Sequence, residues 1–258
     1  MTCTTFKIAI AVLCLSVFVS ATAAQAQPAA SEPDRTVGRE IADPIEPVNR
    51  FIFGFNDILD RMLIEPVARG YRAILPTFVR DAVQSFMRNL QSPIIIANNI
   101  LQGDIGGAGV ATARFLINST VGIVGLVDVA DSQGLRYEDE DFGQTMAKWG
   151  IGNGFYLVLP VIGPSSLRDT AGLAVDTYAD PVRIIAHNTD NEWIYYTRVA
   201  VKGIDTRARM IPAIDDLRRN SIDYYAAARS AYGQRRESLV RDERSGRVAE
   251  AVSYTDYQ

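Results

Sequence analysis

From residue 43 onward the apolar and polar positions follow a helical period almost throughout. Asp43-Pro44 opens a segment that runs to Pro66, in which Phe51, Phe55, Ile58, Leu59 and Met62 share one stripe. Ile52, Phe53 and Leu63 widen that stripe nearly all the way round, the pattern of a helix deeply buried in protein or half-sunk in something apolar. Val67 to Leu75 fits two more turns before Pro76, and Thr77 then starts a helix with Phe78, Val79, Val83 and Phe86 along one side. Ser92-Pro93 reads as a fresh helix start, with serine as cap and proline in the first turn, and Gly103 as its left-handed stop. Asp104 opens another helix through Leu116. Asp141 with Gln144, and Ser166 with Asp169, have the spacing of capping boxes. Asp190 to Leu217 predicts a long amphipathic helix or two, and Ser221 to Val240 closes the series. The expected fold class is mainly α.

One stretch breaks this regularity. Trp149 to Leu167 carries no charge and approaches the roughly 20 apolar residues that a bilayer span needs. Yet Gly150, Gly152, Gly154, Pro160, Gly163 and Pro164 interrupt it. It is greasy enough for lipid and too broken to cross it. Thr120 to Asp128 mixes apolar residues and glycine in the same way. Core-lining turns and a surface that meets lipid both fit such a composition.

The N-terminus adds a destination. Lys7, the apolar run Ile8 to Val19 and the box Ala24-Gln25-Ala26 have the layout of a cleavable secretory signal peptide. The expected organisation is a leader at 1–26, a linker at 27–42, a helical domain at 43–240 and a flexible tail at 241–258. Both cysteines, Cys3 and Cys14, fall in the leader, so the mature chain is expected to have no disulfide, thiol nucleophile or thiolate metal ligand. Ala11-Val12-Leu13 before Cys14 is nearly the reverse of a lipobox, which argues against acylation. A formal net charge of −4 offers no basic excess for nucleic acid.

Chemistry is sparse. His187 is the one histidine and reads as a surface or capping residue. Gly163-Pro164-Ser165-Ser166-Leu167 lacks the closing glycine of a nucleophile elbow. Glu138 to Asp141 lacks the register of a calcium loop, and feeds negative charge to a helix N-terminus instead. Gly107-Ala108-Gly109 lacks the third glycine of a dinucleotide loop. Neither catalysis nor a cofactor nor a metal is expected.

A resemblance sharpens the expectation. Asp43-Pro-Ile-Glu-Pro-Val-Asn49-Arg50-Phe51 followed by Phe55-Asn56 is similar to the opening motif of the MlaA (VacJ) family of outer-membrane phospholipid-transport lipoproteins. Further matches are Leu101-Gln-Gly-Asp104, Arg114-Phe-Leu-Ile-Asn118-Ser119 and Gly125-Leu-Val-Asp128-Val-Ala130. They continue, in order, through Phe142-Gly-Gln-Thr145, Tyr156-Leu-Val-Leu-Pro160, Gly163-Pro-Ser165, Gly203-Ile-Asp205-Thr-Arg207-Ala208 and Ser221-Ile-Asp-Tyr-Tyr225. The resemblance implies a ring-like arrangement of amphipathic helices lying in the periplasmic leaflet of the outer membrane. It also implies a channel that takes mislocalised phospholipids from the outer leaflet to a periplasmic lipid-carrier protein, with an outer-membrane porin trimer as companion. On this reading Gly150, Gly152, Tyr156 and Pro160 are candidates for the channel wall. Phe51, Phe53 and Phe55 are membrane-facing candidates, with core packing as the alternative. A porin-associated scaffold that moves nothing is the alternative function.

Overall fold

A computed structural model of the chain describes residues 41–241. The segments expected as leader (1–26), linker (27–42) and tail (241–258) lie outside them, apart from Ile41, Ala42 and Arg241. The structure is mainly α, as the periodicity requires. Helix α1 (Glu46–Leu59) passes through a π-helical turn (Asp60–Ile64) directly into α2 (Glu65–Ile74). Pro66 explains the turn. It lacks an N–H, and its ring would crowd the carbonyl four residues earlier in a regular helix. Opening the ladder to a five-residue spacing, with the Glu65 N–H donating to the Asp60 carbonyl, carries the rod past the proline.

Helix α3 (Thr77–Leu101) runs unbroken through Ser92-Pro93, which corrects the helix start expected there. The φ of proline suits a helix, although Pro93 removes one donor and crowds the Asn89 carbonyl, and the Ser92 hydroxyl donates to the Arg88 carbonyl at 3.2 Å. Burial of Asn89, Ile94, Ile95 and Asn98 holds both halves against neighbouring elements. There follow α4 (Ile105–Thr120), the single turn α5 (Val129–Ser132) and α6 (Phe142–Lys148). Then come strands β1 (Tyr156–Leu159) and β2 (Gly163–Ser166), α7 (Leu167–Ala179), α8 (Pro181–Asn188), α9 (Glu192–Asn220) and α10 (Tyr224–Arg241). Both capping residues behave as their spacing predicts. Asp141 accepts from the Gln144 N–H at 2.8 Å and Ser166 from the Asp169 N–H at 3.1 Å. Gly143 and Gly172 let α6 and α7 meet backbone to backbone, since a Cβ on Gly172 would stand 2.4 Å from the Gly143 nitrogen.

The hairpin was not legible in the sequence. It pairs Tyr156 with Ser166 and Leu159 with Gly163, antiparallel. Its free edge is held by helix α1. Asn49 donates to the Tyr156 carbonyl at 3.0 Å and accepts from the Val158 N–H at 2.9 Å. Two helical turns on, Asn56 donates to the Leu159 carbonyl at 2.9 Å and accepts from the Val161 N–H at 2.8 Å. Two side-chain amides thus stand in for a third strand. Beneath them lies a small core of Ile41, Tyr156, Val158 and Tyr225, with Ile52, Phe53 and Tyr232 packed against it. Its aromatic rings meet edge to face.

A second core joins α2 to α9 through Ala68, Ala208 and Ile211, where two alanines allow close approach. Beside it, Arg207 grips Asp60 in the π turn with two bonds of 2.7 and 2.8 Å. Arg218 reaches Asp57, Asp60 and Glu65. Burial pushes the Asp60 carboxyl up, but hydrogen bonds from Arg207 and Arg218 outweigh it and hold the group below the usual carboxylate range.

Asn49→Ala leaves the Val158 N–H and the Tyr156 carbonyl unpaired in a buried site. The substitution is expected to cost about 1–3 kcal/mol, read by urea unfolding in non-ionic detergent, with Asn56→Ala, at a half-buried position, costing less. The lowered Asp60 predicts the acid limb of stability. Its contribution is complete above the unfolded value of about 4 and is lost as pH falls toward the folded one. Asp176, raised by burial with Asp141 and Asp139 adding to the shift, acts in the opposite sense. Asp60→Asn is therefore expected to flatten the decline of the thermal midpoint below about pH 4.

Candidate functional site

Helix α1 is turned inside out relative to a helix on a water-soluble domain. Phe51 and Met62 are each 77% exposed, and Phe55 and Ile58 share their face. The polar residues Asn49, Asn56 and Asp60 point into the protein and make the contacts described above. The same inversion recurs elsewhere. Ile74 and Phe78 are exposed where α2 turns into α3, and Val161 and Ile162 are exposed at the hairpin tip. Tyr178, Ile185, Trp193 and Tyr196 are exposed on α7, α8 and α9. Isolated exposed apolar residues are ordinary, but repeated large ones mark a surface that meets something apolar. No helix among the described residues is long and apolar enough to cross a membrane.

The loop between α4 and α5 shows that this exposure is enforced. Val121, Ile123, Val124, Leu126 and Val127 are all exposed. Ile123 (φ 54°) and Val124 (φ 57°) adopt the left-handed region, which β-branched residues rarely enter and which costs on the order of 1–3 kcal/mol each. A polar bracket holds them there. Asn118 and Arg114 donate to the two oxygens of Asp128 at 2.9 and 2.6 Å, and the Asn118 carbonyl accepts from the Gly125 N–H at 2.7 Å. Gly125 (φ 90°) lies so close to Asn89 that a Cβ would fall 2.5 Å from its side chain.

The interior is correspondingly polar. Asn98 donates to Asp176 at 3.1 Å and accepts from the Thr145 hydroxyl at 2.8 Å. Gln102 donates to the buried Glu140 at 2.8 Å. Nearby, side chains of α3, α9 and the segment before α6 form a polar chain. Lys202 donates to Gln91, Gln91 donates to Asp139 at 3.1 Å, and the Tyr137 hydroxyl donates to Asp139 at 3.2 Å. Arg88 stacks 4.5 Å over the Tyr137 ring. Lys202 keeps contact with solvent, yet the surrounding protein lowers its pKa by desolvation.

The residues singled out from the sequence fall into two groups. Gly150, Gly152 and Pro160 are exposed. Gly150 needs its left-handed φ of 87°, whereas Gly152 has no such requirement, and a Cβ there would meet no atom within 4 Å. Tyr156, by contrast, has no exposed surface and fills the core under the hairpin, so in this conformation its ring lines nothing open. Phe51 and Phe55 face outward, while Phe53 packs edge to face on Tyr224 and Tyr225. The packing alternative thus describes Phe53. Lys202 and Gln91 are not among the residues that the sequence singles out, and Asp139 figures there only in the acidic run set aside as a calcium loop, because the three come together from separate elements and share no spacing signal. His187 is exposed, with Nδ1 2.9 Å from Glu192.

Comparison with known proteins agrees with this architecture. The family model described as MlaA lipoprotein matches residues 41–239. An uncharacterized protein of Rickettsia prowazekii is 39% identical over 202 residues, covering 78% of this chain and 79% of that one. The intermembrane phospholipid transport system lipoprotein MlaA of Escherichia coli is 33% identical over 204 residues, covering 77% of this chain and 78% of its own. A solved structure described as the structural basis for maintenance of bacterial outer membrane lipid asymmetry superposes with a TM-score of 0.68 at 33% identity. That match covers 77% of this chain and 99% of the solved one. With a family model spanning nearly all the described residues and the same mainly helical fold in a solved relative, this chain belongs to the MlaA lipoprotein family.

Proposed function

We propose that this protein lies in the periplasmic leaflet of the outer membrane, its helices arranged as a ring, and removes mislocalised phospholipids from the outer leaflet without chemically altering them. The observation that carries this reading is the inversion of polarity, with apolar side chains outward and polar ones inward on the same helices. Moving a fully exposed Phe, Met or Ile side chain from water into acyl chains gains about 1.5–3 kcal/mol, so Phe51, Phe55, Ile58 and Met62 alone supply substantial retention. Retention of that size does not depend on an acyl anchor. No described helix suits a full span, which fits residence in one leaflet. The exposed Lys202, with Gln91 and Asp139 beside it, gives a headgroup something to hold while its chains stay in the apolar surroundings. A periplasmic lipid carrier receives the lipid, and a porin trimer provides a place in the membrane.

Deletion of the gene is expected to raise outer-leaflet phospholipid and detergent sensitivity. Unchanged asymmetry rejects transport, and restored asymmetry by a variant that loads no lipid onto an acceptor favours a scaffold. Gly152→Leu is a clean probe of the passage, because a Cβ there meets no atom within 4 Å and the backbone needs no positive φ. It is expected to fold like wild type by circular dichroism while lowering lipid transfer several-fold. Normal transfer removes Gly152 from the wall.

A further inference from the structure

The elbow where α1 passes through the π turn into α2 holds an open cavity of about 390 Å³, lined by Arg61, Glu65, Pro66, Arg69 and Arg218. This volume lies within the range of small-molecule sites, roughly 300–1,000 Å³. It shares α9 with the Lys202 group, but Arg218 stands 16 residues further along that helix. Three guanidinium groups converge on it. Arg61 rests on Asp57 at 2.9 Å and is 59% exposed. Arg69 bridges Glu65 at 2.7 Å and Asp215 at 2.8 Å and is 50% exposed. Arg218 forms the buried wall, with Nη1 and Nη2 on Glu65, Asp57 and Asp60 and its Nε buried without a partner.

Two properties narrow the ligand. Each guanidinium carries five donors, and the carboxylates here engage only some of them. Exposed pairs of this kind are weak, so Arg61 and Arg69 can swing toward a tetrahedral anion at little cost. The cluster is nevertheless balanced in charge, because Asp57, Asp60, Glu65 and Asp215 face Arg61, Arg69, Arg207 and Arg218. A balanced cluster with both signs at its mouth suits a ligand that itself carries both signs. The flanks are apolar, with Met62 and Leu63 exposed on the turn between Arg61 and Pro66.

We propose that this cavity is a peripheral docking site for the headgroup of a zwitterionic phospholipid. Arg61 and Arg69 hold the phosphodiester, Glu65 and Asp215 face the ammonium, and the acyl chains follow Met62 and Leu63. The site extends the membrane reading given above by naming a lipid class and a place outside the passage. A local store of substrate, or a fixed depth for α1, follows from it.

The test uses the full mature chain in non-ionic detergent, titrated with dihexanoyl phosphatidylethanolamine, dihexanoyl phosphatidylglycerol or inorganic phosphate, with binding followed by phosphorus NMR. The zwitterionic lipid is expected to bind saturably. Arg61→Gln/Arg69→Gln is expected to weaken it about tenfold or more, and Arg61→Lys by less. Circular dichroism of each variant checks folding; the single Arg61→Gln, which removes only an exposed pair, serves if the double variant unfolds. Equal affinity for inorganic phosphate makes this a free-phosphate site and overturns the proposal, as does tighter binding of phosphatidylglycerol. Unchanged binding in the arginine variants overturns it too. Outer-membrane fractionation and lipid transfer of the wild type are measured alongside. Their failure rejects the transport reading, whereas their persistence with no arginine-dependent binding rejects this cavity alone.

Discussion

Hydrogen bonds and ion pairs between side chains far apart in the sequence hold much of this protein together, because many of its large apolar residues face outward and cannot. Asp60 shows the principle. It sits in a helix interrupted by Pro66, takes two bonds from Arg207 and one from Arg218, and so fixes α1, the π turn and α9 at one point. Asp43 plays a similar part near the start of the described chain, accepting from Asn49, Tyr225 and Arg229. Asp169 and Asp141 receive Arg236 and tie α10 to α6 and α7. Each is a partly or fully buried carboxylate whose charge is satisfied by a guanidinium, the arrangement in which loss of one partner is far more costly than the pair is stabilising.

This constraint follows from the surface. A helix with its apolar stripe outward brings a polar stripe inward, and polar groups removed from water need partners. Asn49 and Asn56 meet the need by completing a β-hairpin, and Asn98 with Thr145 and Asp176 by forming a network. The apolar cores are correspondingly small, one around Tyr156 and one around Ala68 and Ala208. In the proposed setting such an interior is no handicap, since packing and polar contacts, rather than the flight from water, associate helices whose exteriors are already in an apolar medium.

The residues that carried the family resemblance are largely these structural ties. Asn49, Asn118, Asp128, Asp205 and Arg207 hold loops, strands and helices in place. The motif around Arg114 and Asn118 pins a strained loop whose greasy side chains it cannot itself shield. Residues that bracket an apolar surface can thus identify a family while saying little about which positions a lipid touches.

Periodicity, capping residues and glycine stops were enough to determine most helices, because these are local properties. Asp141 and Ser166 begin their helices where the spacing places them, and α9 runs as the amphipathic pattern of 190–217 requires. A stripe, however, specifies that a helix has two unlike faces and is silent on which of them meets protein. Only the tertiary structure decided that Phe51 faces out while Phe53, two residues on, packs against Tyr224 and Tyr225. It likewise decided that Pro93 is carried inside α3 and that Tyr156 to Ser166 forms a hairpin. Those outcomes depend on partners more than a hundred residues away, such as Asn49 for Val158, and no local pattern encodes a contact whose other half lies elsewhere in the chain.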